Sequence, residues 1–567
     1  MAKKLSITIA GAVSLGSYEA GVAFEVLDAL SQHNQWAEAN NLPDERIEID
    51  VLTGASAGGM TVAMLAQRLL FDGPAMSLPY SNPLYDAWVT SIDIVGLLNR
   101  KPNEDVTHSL LSSDLVQDIS KTYLTGRYPK PPQPPPPPKP HPALALDGKL
   151  QLGLSLSNLT GIDYACKTKS GGQFIYTKHE DQLVRSLSHA ADDRPDIWEE
   201  IRAAAVACGA FPIAFRVQDL LRKIGDFTGS PNLVQALWGG KLSRYFTYTD
   251  GGVFQNEPLG MAKNLVETQP GGHLNADQRG YLFIAPQPKT SETIPYTSDP
   301  NADSGKAFGA ANANYKAVVE CLAEAVIGQS EFQDWVVAER VNDKLRLLDE
   351  QAGELQALFL SRTLTAAATT PVSAALLPQL FQGDDAMARI ELNAARTQLK
   401  QQYSLEYSKF GADHVTADAW LDAVLVLEVA AGLHEKEEMF IYDFVAETAQ
   451  LASNGLHAFV GFFDVRYRKH DYDYGRSMGQ QRLAFYKNQP GSVLANLHWT
   501  PKAIDPIDPN LNNLDMSKVD KNKRNQVCSQ MCDAANSLLQ ELGKGVIVRK
   551  AIMTFFIKGQ IKEMLAL

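Results

Sequence analysis

Residues Ile47 to Leu70 have the sequence IEIDVLTGASAGGMTVAMLAQRLL, which indicates the fold class most clearly. Residues 47–53 have the apolar, β-branched composition of a buried strand. Small residues from Gly54 to Gly58 form a turn, and an apolar helix is predicted to follow it as far as Leu70. A strand that enters a helix through a glycine-containing turn is the basic unit of a parallel sheet covered by helices.

An earlier part of the chain has the same order of signals. Leu5 to Ala10 predicts a short strand, Gly11 to Gly16 a glycine-containing turn, and Tyr18 to Leu30 a helix. Further strands are predicted downstream, at residues 150–157, 173–177, 245–249 and 281–285. This alternation predicts an α/β domain over residues 1–305, with a mainly parallel sheet covered on both faces.

The composition changes after residue 305. Segments rich in Ala, Leu, Glu and Lys predict a mostly α-helical C-terminal region over residues 306–567. Within the first domain, residues 129–142 hold ten of the 30 prolines. Such a run favours extended polyproline II structure, so we expect a solvated loop or linker. A docking site for a proline-binding partner is the alternative.

Composition narrows the class of protein. The 567 residues carry a net charge of -13, which disfavours nucleic acid as a partner. We find no apolar run of about 20 residues that would span a membrane and no secretory signal at the N-terminus. The five cysteines are scattered, and Cys528 and Cys532 are expected to be thiols on one helix rather than metal ligands. These features predict a cytoplasmic protein.

The turn after the strand at 47–53 carries a candidate nucleophile. Gly54-Ala55-Ser56-Ala57-Gly58 is a G-x-S-x-G sequence between a predicted strand and a predicted helix. A serine on such a sharp turn exposes its hydroxyl, and the helix N-terminus behind it favours developing negative charge. The alternative is an ordinary turn of small residues.

Two further turns supply partners for a serine nucleophile. The backbone N–H groups of the turn from Gly11 to Gly16 are candidate donors to an oxyanion. This turn lacks the spacing of a dinucleotide-binding loop and the Gly-Lys-Ser/Thr of a P-loop. Asp250 follows a predicted strand and precedes two glycines, so it is a candidate base. Taken alone, Asp250-Gly251 is also a common turn sequence.

Together these turns resemble the patatin-like phospholipase family. The resemblance covers residues 5–290 and rests on four matches in the expected order. The matches are Gly16-x-Tyr18-x-x-Gly21-Val22; Gly54-Ala55-Ser56-Ala57-Gly58; Ala207-Cys208-Gly209-Ala210-Phe211-Pro212-x-x-Phe215; and Asp250-Gly251-Gly252 with Asn256 and Pro258.

The resemblance implies a three-layer α/β/α core and a serine acyl hydrolase of the phospholipase A or lysophospholipase type. Ser56 would attack the ester carbonyl and Asp250 would accept its proton, without a metal or cofactor. A phospholipid or lysophospholipid would be the substrate. The remaining site residues implied by the family are the oxyanion turn Gly11, Ala12, Val13 and Gly16 and the nucleophile elbow Gly54, Ala57 and Gly58.

One departure from the family pattern concerns the oxyanion turn. The family's three consecutive glycines are replaced here by Gly11, Ala12 and Val13, although a bacterial subgroup tolerates Gly-x-Val-Ser-Leu. Valine resists positive φ, so either the turn keeps φ negative at Val13 or the hole is altered. This leaves two alternatives open: an esterase or thioesterase for soluble acyl substrates, and a catalytically silent lipid-binding or regulatory protein.

The C-terminal region contains two further features. Phe462-Phe463, followed by Arg468, His470-Asp471-Tyr472 and Gly475-Arg476, is either a second element that completes the site or a packed, ion-paired corner. In the second interpretation Arg476 would pair with Asp471. Residues Lys544–Leu567 are basic and amphipathic, so they predict either a packed terminal helix or peripheral contact with an anionic membrane.

Overall fold

The computed structural model describes residues 2–101, 104, 108–125, 137–168, 172–227, 233–234, 238–269, 278–286, 333–381, 386–433, 438–454, 458–512, 516–541, 558, 561–562 and 565–567. Several sequence-based predictions fall on other residues. Most of the proline-rich run, the boundary near residue 305, Cys321 and most of Lys544–Leu567 lie outside the described residues.

The strands of the described residues form one mixed, mostly parallel sheet. They are β1 (Lys3–Ile9), β2 (Ile47–Gly54), β3 (Lys149–Lys167), β4 (Gln173–Ser188), β5 (Gln218–Lys223), β6 (Ser243–Thr249), β7 (Arg279–Ala285) and β8 (Ile441–Val445). Their order is β5-β6-β3-β2-β1-β7-β8, and β4 pairs with β3 outside this path. The β3–β2–β1–β7–β8 pairings are parallel, whereas β3–β4, β3–β6 and β5–β6 are antiparallel.

The strands β1 and β2 form the centre of this sheet. Every residue of β2 is buried, and β1 is buried from Leu5 onwards. Such continuous burial is expected of strands that are covered on both faces, because neither face meets water. The two turns that follow β1 and β2 therefore lie side by side at the carboxyl edge of the sheet.

The helices of the described residues flank the sheet and build the later part of the chain. They are α1 (Gly16–Ala39), α2 (Ser56–Phe71), α3 (Pro83–Tyr85), α4 (Ile94–Leu98), α5 (Ser113–Leu124), α6 (Pro195–Cys208), α7 (Leu259–Glu267), α8 (Gln333–Leu360), α9 (Ala366–Leu380), α10 (Ala386–Gln402), α11 (Ser404–Ser408), α12 (His414–Ala430), α13 (Val465–Lys487) and α14 (Lys521–Glu541). None of these described helices has the length and apolar character needed to cross a bilayer.

The core has the predicted three layers. Helix α2 packs against α1 and α6 and also covers β2 and β3, while α7 packs on β1, β2 and β3. The predicted α/β/α core with a mainly parallel sheet is therefore confirmed, as is the predominance of helix in the C-terminal region.

The contacts divide the chain into two compact units. The first contains Met1–Asp334 and Phe440–Leu567, and the second contains Trp335–Met439. The sequence-based division at residue 305 is corrected by this result, because it assigned everything after that residue to one helical region. The first unit is discontinuous, and its second part adds a strand to the sheet as well as helices.

Strand β8 and helix α13 explain why residues after 440 belong to the first unit. β8 pairs with β7 in parallel, with Tyr281 opposite Ile441. α13 packs closely on α1: a Cβ added at Gly21 would lie 2.1 Å from the Tyr472 carbonyl oxygen, and one at Gly475 2.2 Å from that of Tyr18. The two glycines allow the two helix backbones to touch.

A buried ion pair joins the same two helices. Arg476 donates through Nε to Glu25 Oε1 over 2.7 Å, and both side chains are fully buried. The predicted pair between Arg476 and Asp471 is wrong. Side chains five positions apart on a helix point in different directions. Asp471 instead accepts hydrogen bonds from the backbone N–H groups of Ala452 and Ser453 at 2.7 and 3.0 Å.

The second unit is a helical bundle with its own core. Trp420 of α12 is fully buried at its centre and donates through Nε1 to the Ala352 carbonyl of α8 over 3.0 Å. Apolar side chains from neighbouring helices surround it, among them Phe359, Leu377 and Leu399.

Candidate active site

The sharp turn between β2 and α2 holds Ser56 in a strained conformation. The φ angle of Ser56 is +50°, in the left-handed region that non-glycine residues avoid. Gly54 and Gly58 permit close backbone approach: a Cβ at Gly54 would lie 2.6 Å from the Gly58 carbonyl, and one at Gly58 2.3 Å from that of Ala10. The serine thus occupies the strand–turn–helix position that the sequence predicts.

Asp250 lies directly after β6 and meets Ser56. Ser56 Oγ donates to Asp250 Oδ2 over 2.6 Å, although the residues are 194 positions apart in sequence. The other carboxylate oxygen accepts the N–H of Gly252 at 2.7 Å. The Asp250 N–H donates to the Ala210 carbonyl, so the loop after α6 fixes the aspartate from behind.

Burial changes the acidity of this aspartate. Asp250 is 2% exposed, and its removal from water raises its pKa to about 7, while the hydrogen bonds from Ser56 and Gly252 act in the opposite direction. A carboxyl group with this pKa exchanges its proton near neutral pH, which suits a general base.

The turn after β1 covers Ser56. A Cβ added at Gly11 would lie 3.0 Å from Ser56 Cβ and 2.1 Å from Asn256 Oδ1, so only glycine fits there. Val13 has a φ of +51°, which answers the question raised by the sequence: the turn takes the left-handed conformation despite the branched side chain. Val13 and Ser56 line the same pocket.

Two of the four predicted oxyanion donors are already used. The N–H of Gly11 donates to the Asn256 carbonyl at 3.1 Å, and that of Gly16 donates to the carbonyls of Val13 and Ser14. Ala12 and Val13 therefore remain as the candidate donors of this turn. The role of Gly16 is steric, since a Cβ there would lie 2.8 Å from the ring of Trp88.

Sequence reasoning gave no role to Cys208, which lies between the turns that carry Ser56 and Asp250. Its Sγ is 3.9 Å from the Gly54 carbonyl oxygen, and a Cβ at Gly59 would lie 2.3 Å from it. Burial, with a smaller contribution from the Asp250 charge, raises the pKa of the thiol. Cys208 is thus a neutral packing group at the end of α6, and only the tertiary structure reveals its position.

An apolar pocket begins at Ser56. It is bordered by Ser56 and Val13 and continues between α2 and α5. Its remaining lining residues are Ala57, Met60, Met64, Ala87, Trp88, Ile92, Val116, Ile119, Ser120, Tyr123, Leu124, Gly209, Phe211, Phe215 and Phe462. Nearly all of these side chains are aliphatic or aromatic, so the pocket fits a hydrocarbon chain better than a polar substrate.

The site thus combines a serine elbow at the carboxyl edge of the sheet, a buried aspartate and an apolar pocket within a three-layer α/β fold. Comparison with family models adds a separate finding. Residues 7–263 are similar to the patatin-like phospholipase model.

Two curated relatives share part of this chain. An uncharacterized protein of Sinorhizobium fredii is 24% identical over 361 residues, which cover 50% of this chain and 49% of the relative. An uncharacterized membrane protein of Mycobacterium tuberculosis is 24% identical over 315 residues, which cover 50% of this chain and 27% of the relative. The chain thus spans half or less of the length of these relatives.

Proposed function

We propose that this protein is a serine acyl hydrolase of the phospholipase A or lysophospholipase type, with Ser56 and Asp250 as its catalytic dyad. The observation that carries the proposal is the 2.6 Å contact between Ser56 Oγ and Asp250 Oδ2 at the opening of an apolar pocket. The match of residues 7–263 to the patatin-like phospholipase model supports lipid esters as the substrate class.

Acylation begins with proton transfer from Ser56 Oγ to the Asp250 carboxylate. The serine oxygen attacks the ester carbonyl carbon, and the C=O bond becomes a C–O⁻ single bond. The N–H groups of Ala12 and Val13 stabilise this oxyanion, together with the N-terminal end of α2. Collapse of the intermediate breaks the bond to the leaving alcohol, which takes the proton from Asp250.

Deacylation repeats these steps with water. Asp250 accepts a proton from the attacking water, and the second tetrahedral intermediate releases the fatty acid as Ser56 Oγ regains a proton from Asp250. One carboxyl group therefore serves both half-reactions. A pKa near 7 matches this use, since the group must both take and return a proton at neutral pH.

The pocket supports an acyl chain as the part of the substrate that is bound most deeply. Burial of an apolar chain contributes about 0.8 kcal/mol per CH₂ group, so a long chain is a strong anchor. We propose a phospholipid or lysophospholipid as the physiological ester. We also propose a cytoplasmic location, with peripheral contact to the membrane that supplies the lipid.

The experiment that tests this function is release of fatty acid from mixed phospholipid vesicles. Wild type is compared with Ser56→Ala and Asp250→Asn, and circular dichroism checks that each variant is folded. We expect release from the wild type and loss of at least about 10³-fold in both variants.

Two other outcomes would redirect the proposal. If Ser56 reacts with a fluorophosphonate probe but only soluble thioesters or short esters are cleaved, the protein is an esterase of another type. Absence of both labelling and release would contradict an acyl hydrolase and favour a lipid-binding role.

A further inference from the structure

A short segment from the far end of the chain contacts the turn that covers Ser56. We call this segment, Ala458–Phe463, the arm; its last four residues form a 3₁₀ turn. Ser14 Oγ donates a hydrogen bond to the carbonyl of Ala458, 444 positions later in sequence. Gly461 fits directly beneath it, because a Cβ there would lie 2.5 Å from Ser14 Oγ.

Helix α13 holds the arm in place. Arg468 is 2% exposed and donates to the Gly461 carbonyl at 2.8 Å and to the Val89 carbonyl at 2.9 Å. A buried cation is strongly destabilised without hydrogen-bond acceptors, so these two contacts fix the arm relative to the segment that carries Trp88. Within the sequence from Phe462 to Arg476, Arg468 is therefore the residue that anchors the arm.

The arm also forms one wall of the acyl pocket. Phe462 is 2% exposed and lines the pocket together with Val13 and Phe211. Phe459 packs edge to face against Phe211, with ring centroids 5.8 Å apart. None of the three phenylalanines of the arm belongs to residues 7–263, the part that matches the family model.

We propose that the arm is a functional part of the acyl site, in which Phe462 determines the size of the acyl group that fits and Ser14 positions the oxyanion turn. The proposal rests on the proposed hydrolase function. It assigns a specificity-determining residue that lies outside the family domain and 406 positions after the nucleophile. It also explains the left-handed backbone conformation of Val13, because the hydrogen bond from Ser14 to Ala458 holds the adjacent residue in place.

Substitution of Phe462 tests the specificity role. Phe462→Ala is compared with Phe463→Ala, because Phe463 is equally buried but is not among the residues that line the pocket. The substrates are p-nitrophenyl butyrate, octanoate and palmitate. We expect Phe462→Ala to raise the palmitate-to-butyrate ratio of kcat/KM by about tenfold or more, with Phe463→Ala at the wild-type ratio. An equal ratio in all three folded proteins would overturn the proposal.

A binding measurement separates this proposal from the hydrolase function. In the Ser56→Ala protein, displacement of a fluorescent fatty acid reports the affinity of the pocket without any turnover. When Phe462→Ala is combined with Ser56→Ala, we expect the ratio of the affinities for octanoate and palmitate to change by about tenfold, whether or not the wild type hydrolyses esters. If the affinity changes but the wild type hydrolyses no ester, the hydrolase function is contradicted and the role of Phe462 in the pocket is supported. If the affinities do not change, the role of Phe462 is contradicted.

The positioning role of Ser14 is tested with a matched serine. Ser14→Ala removes the bond to the arm, whereas Ser17→Ala removes an equally buried hydroxyl that donates to the Ser14 carbonyl at 3.2 Å. We expect Ser14→Ala to lower kcat about tenfold or more with the KM nearly unchanged, since the oxyanion donors act on the transition state. If the bond from Ser14 to Ala458 is only structural, both variants will lose thermal stability to the same extent and will have the same kcat.

Discussion

Val13 shows how a single residue can keep a backbone conformation that its side chain opposes. A left-handed φ costs a non-glycine residue about 1–2 kcal/mol, and a β-branched side chain increases the strain. The conformation persists here because the neighbouring Ser14 is bonded to Ala458 and packed on Gly461.

Replacement of Val13 by glycine tests whether the site uses the backbone or the side chain of this residue. We expect Val13→Gly to retain activity on p-nitrophenyl butyrate within about threefold, because glycine adopts the same φ without strain and still provides the N–H. Initial rates measure the effect, and Ala12→Gly is the control, because its φ of -147° requires no glycine. A large loss in Val13→Gly alone would assign the role to the isopropyl group.

The raised pKa of Asp250 predicts a pH profile. Only the carboxylate can accept the Ser56 proton, so kcat/KM should rise about tenfold per pH unit below pH 7 and level off above it. Steady-state rates between about pH 5 and pH 9 measure this limb. A limb centred near pH 4, the ordinary value of an exposed aspartate, would contradict a buried base.

The same carboxyl group makes stability depend on pH. Between about pH 4 and pH 7 the folded protein keeps a proton on Asp250 that the unfolded chain has lost, so this group lowers stability as the pH rises through that window. In Asp250→Asn this position does not titrate, so only the wild type loses this stability. We therefore expect the unfolding free energy of the variant minus that of the wild type to increase by up to about 4 kcal/mol from pH 4 to pH 8. Urea denaturation at both pH values measures this, and a constant difference would contradict the raised pKa.

For single residues, the sequence predicted those site residues that stand in a recognisable local motif. Ser56 and Asp250 were predicted because each stands in a short turn sequence whose residue types have a direct chemical reason. The hydrogen bond that occupies the N–H group of Gly11 was not predictable, because its acceptor, the carbonyl of Asn256, lies 245 positions away. The packing of Cys208 beside Gly54 and Gly59 was not predictable for the same reason.

At the scale of elements, the crossing of α1 and α13 depends on two glycines. Gly21 and Gly475 each face a backbone carbonyl of the other helix, so an added methyl group has no room to move aside. Elsewhere on this interface Tyr18 and Tyr474 stack in a tilted arrangement with ring centroids 5.8 Å apart. The crossing brings the start of α13, and with it the arm, next to the turn after β1.

Gly475→Ala is expected to destabilise the protein by about 1–3 kcal/mol or more, because the new Cβ would lie 2.2 Å from the Tyr18 carbonyl oxygen. Gly353→Ala in α8 is the matched control. Gly353 is exposed and helical with no atom near its added Cβ, so alanine should stabilise by up to about 1 kcal/mol. Urea denaturation gives both values, and a neutral Gly475→Ala would show that the helices cross less closely.

The elements that the sequence predicted are those with strong patterns. β1 and β2 are rich in isoleucine and leucine, and each leads through a glycine-containing turn into an apolar helix, so these elements form as expected. β8 was missed because its five residues, Ile441–Val445, stand among helical segments and depend on β7 for their hydrogen bonds. A short edge strand has little local signal of its own.

At the scale of the whole molecule, the C-terminal part of the first unit completes the structure that its N-terminal part begins. Residues after 440 supply β8, the arm and α13, so the sheet, the buried pair Arg476–Glu25 and the acyl pocket all need them. A compositional boundary could not reveal this, since composition reports the local structure and not the partner against which a segment packs.

A fragment of residues 1–305, the domain that the sequence suggested, is therefore expected not to fold cooperatively. Loss of Arg476 alone leaves Glu25 buried without its partner, at a cost of about 3–5 kcal/mol, which is a large part of a typical stability of 5–15 kcal/mol. Thermal melting followed by circular dichroism, with the full chain alongside, measures this. A cooperative transition in the fragment would show that the C-terminal part is dispensable.

The distance in sequence between Ser56 and the arm has a consequence for protein synthesis. A ribosome adds about 5–20 residues per second, so on the order of 20–80 s pass between the emergence of the nucleophile and that of Phe462. During this interval the nascent chain contains Ser56 but not Phe462 of the pocket wall or the Ala458 carbonyl to which Ser14 bonds. The order of synthesis therefore delays completion of the proposed acyl site until the arm has been made.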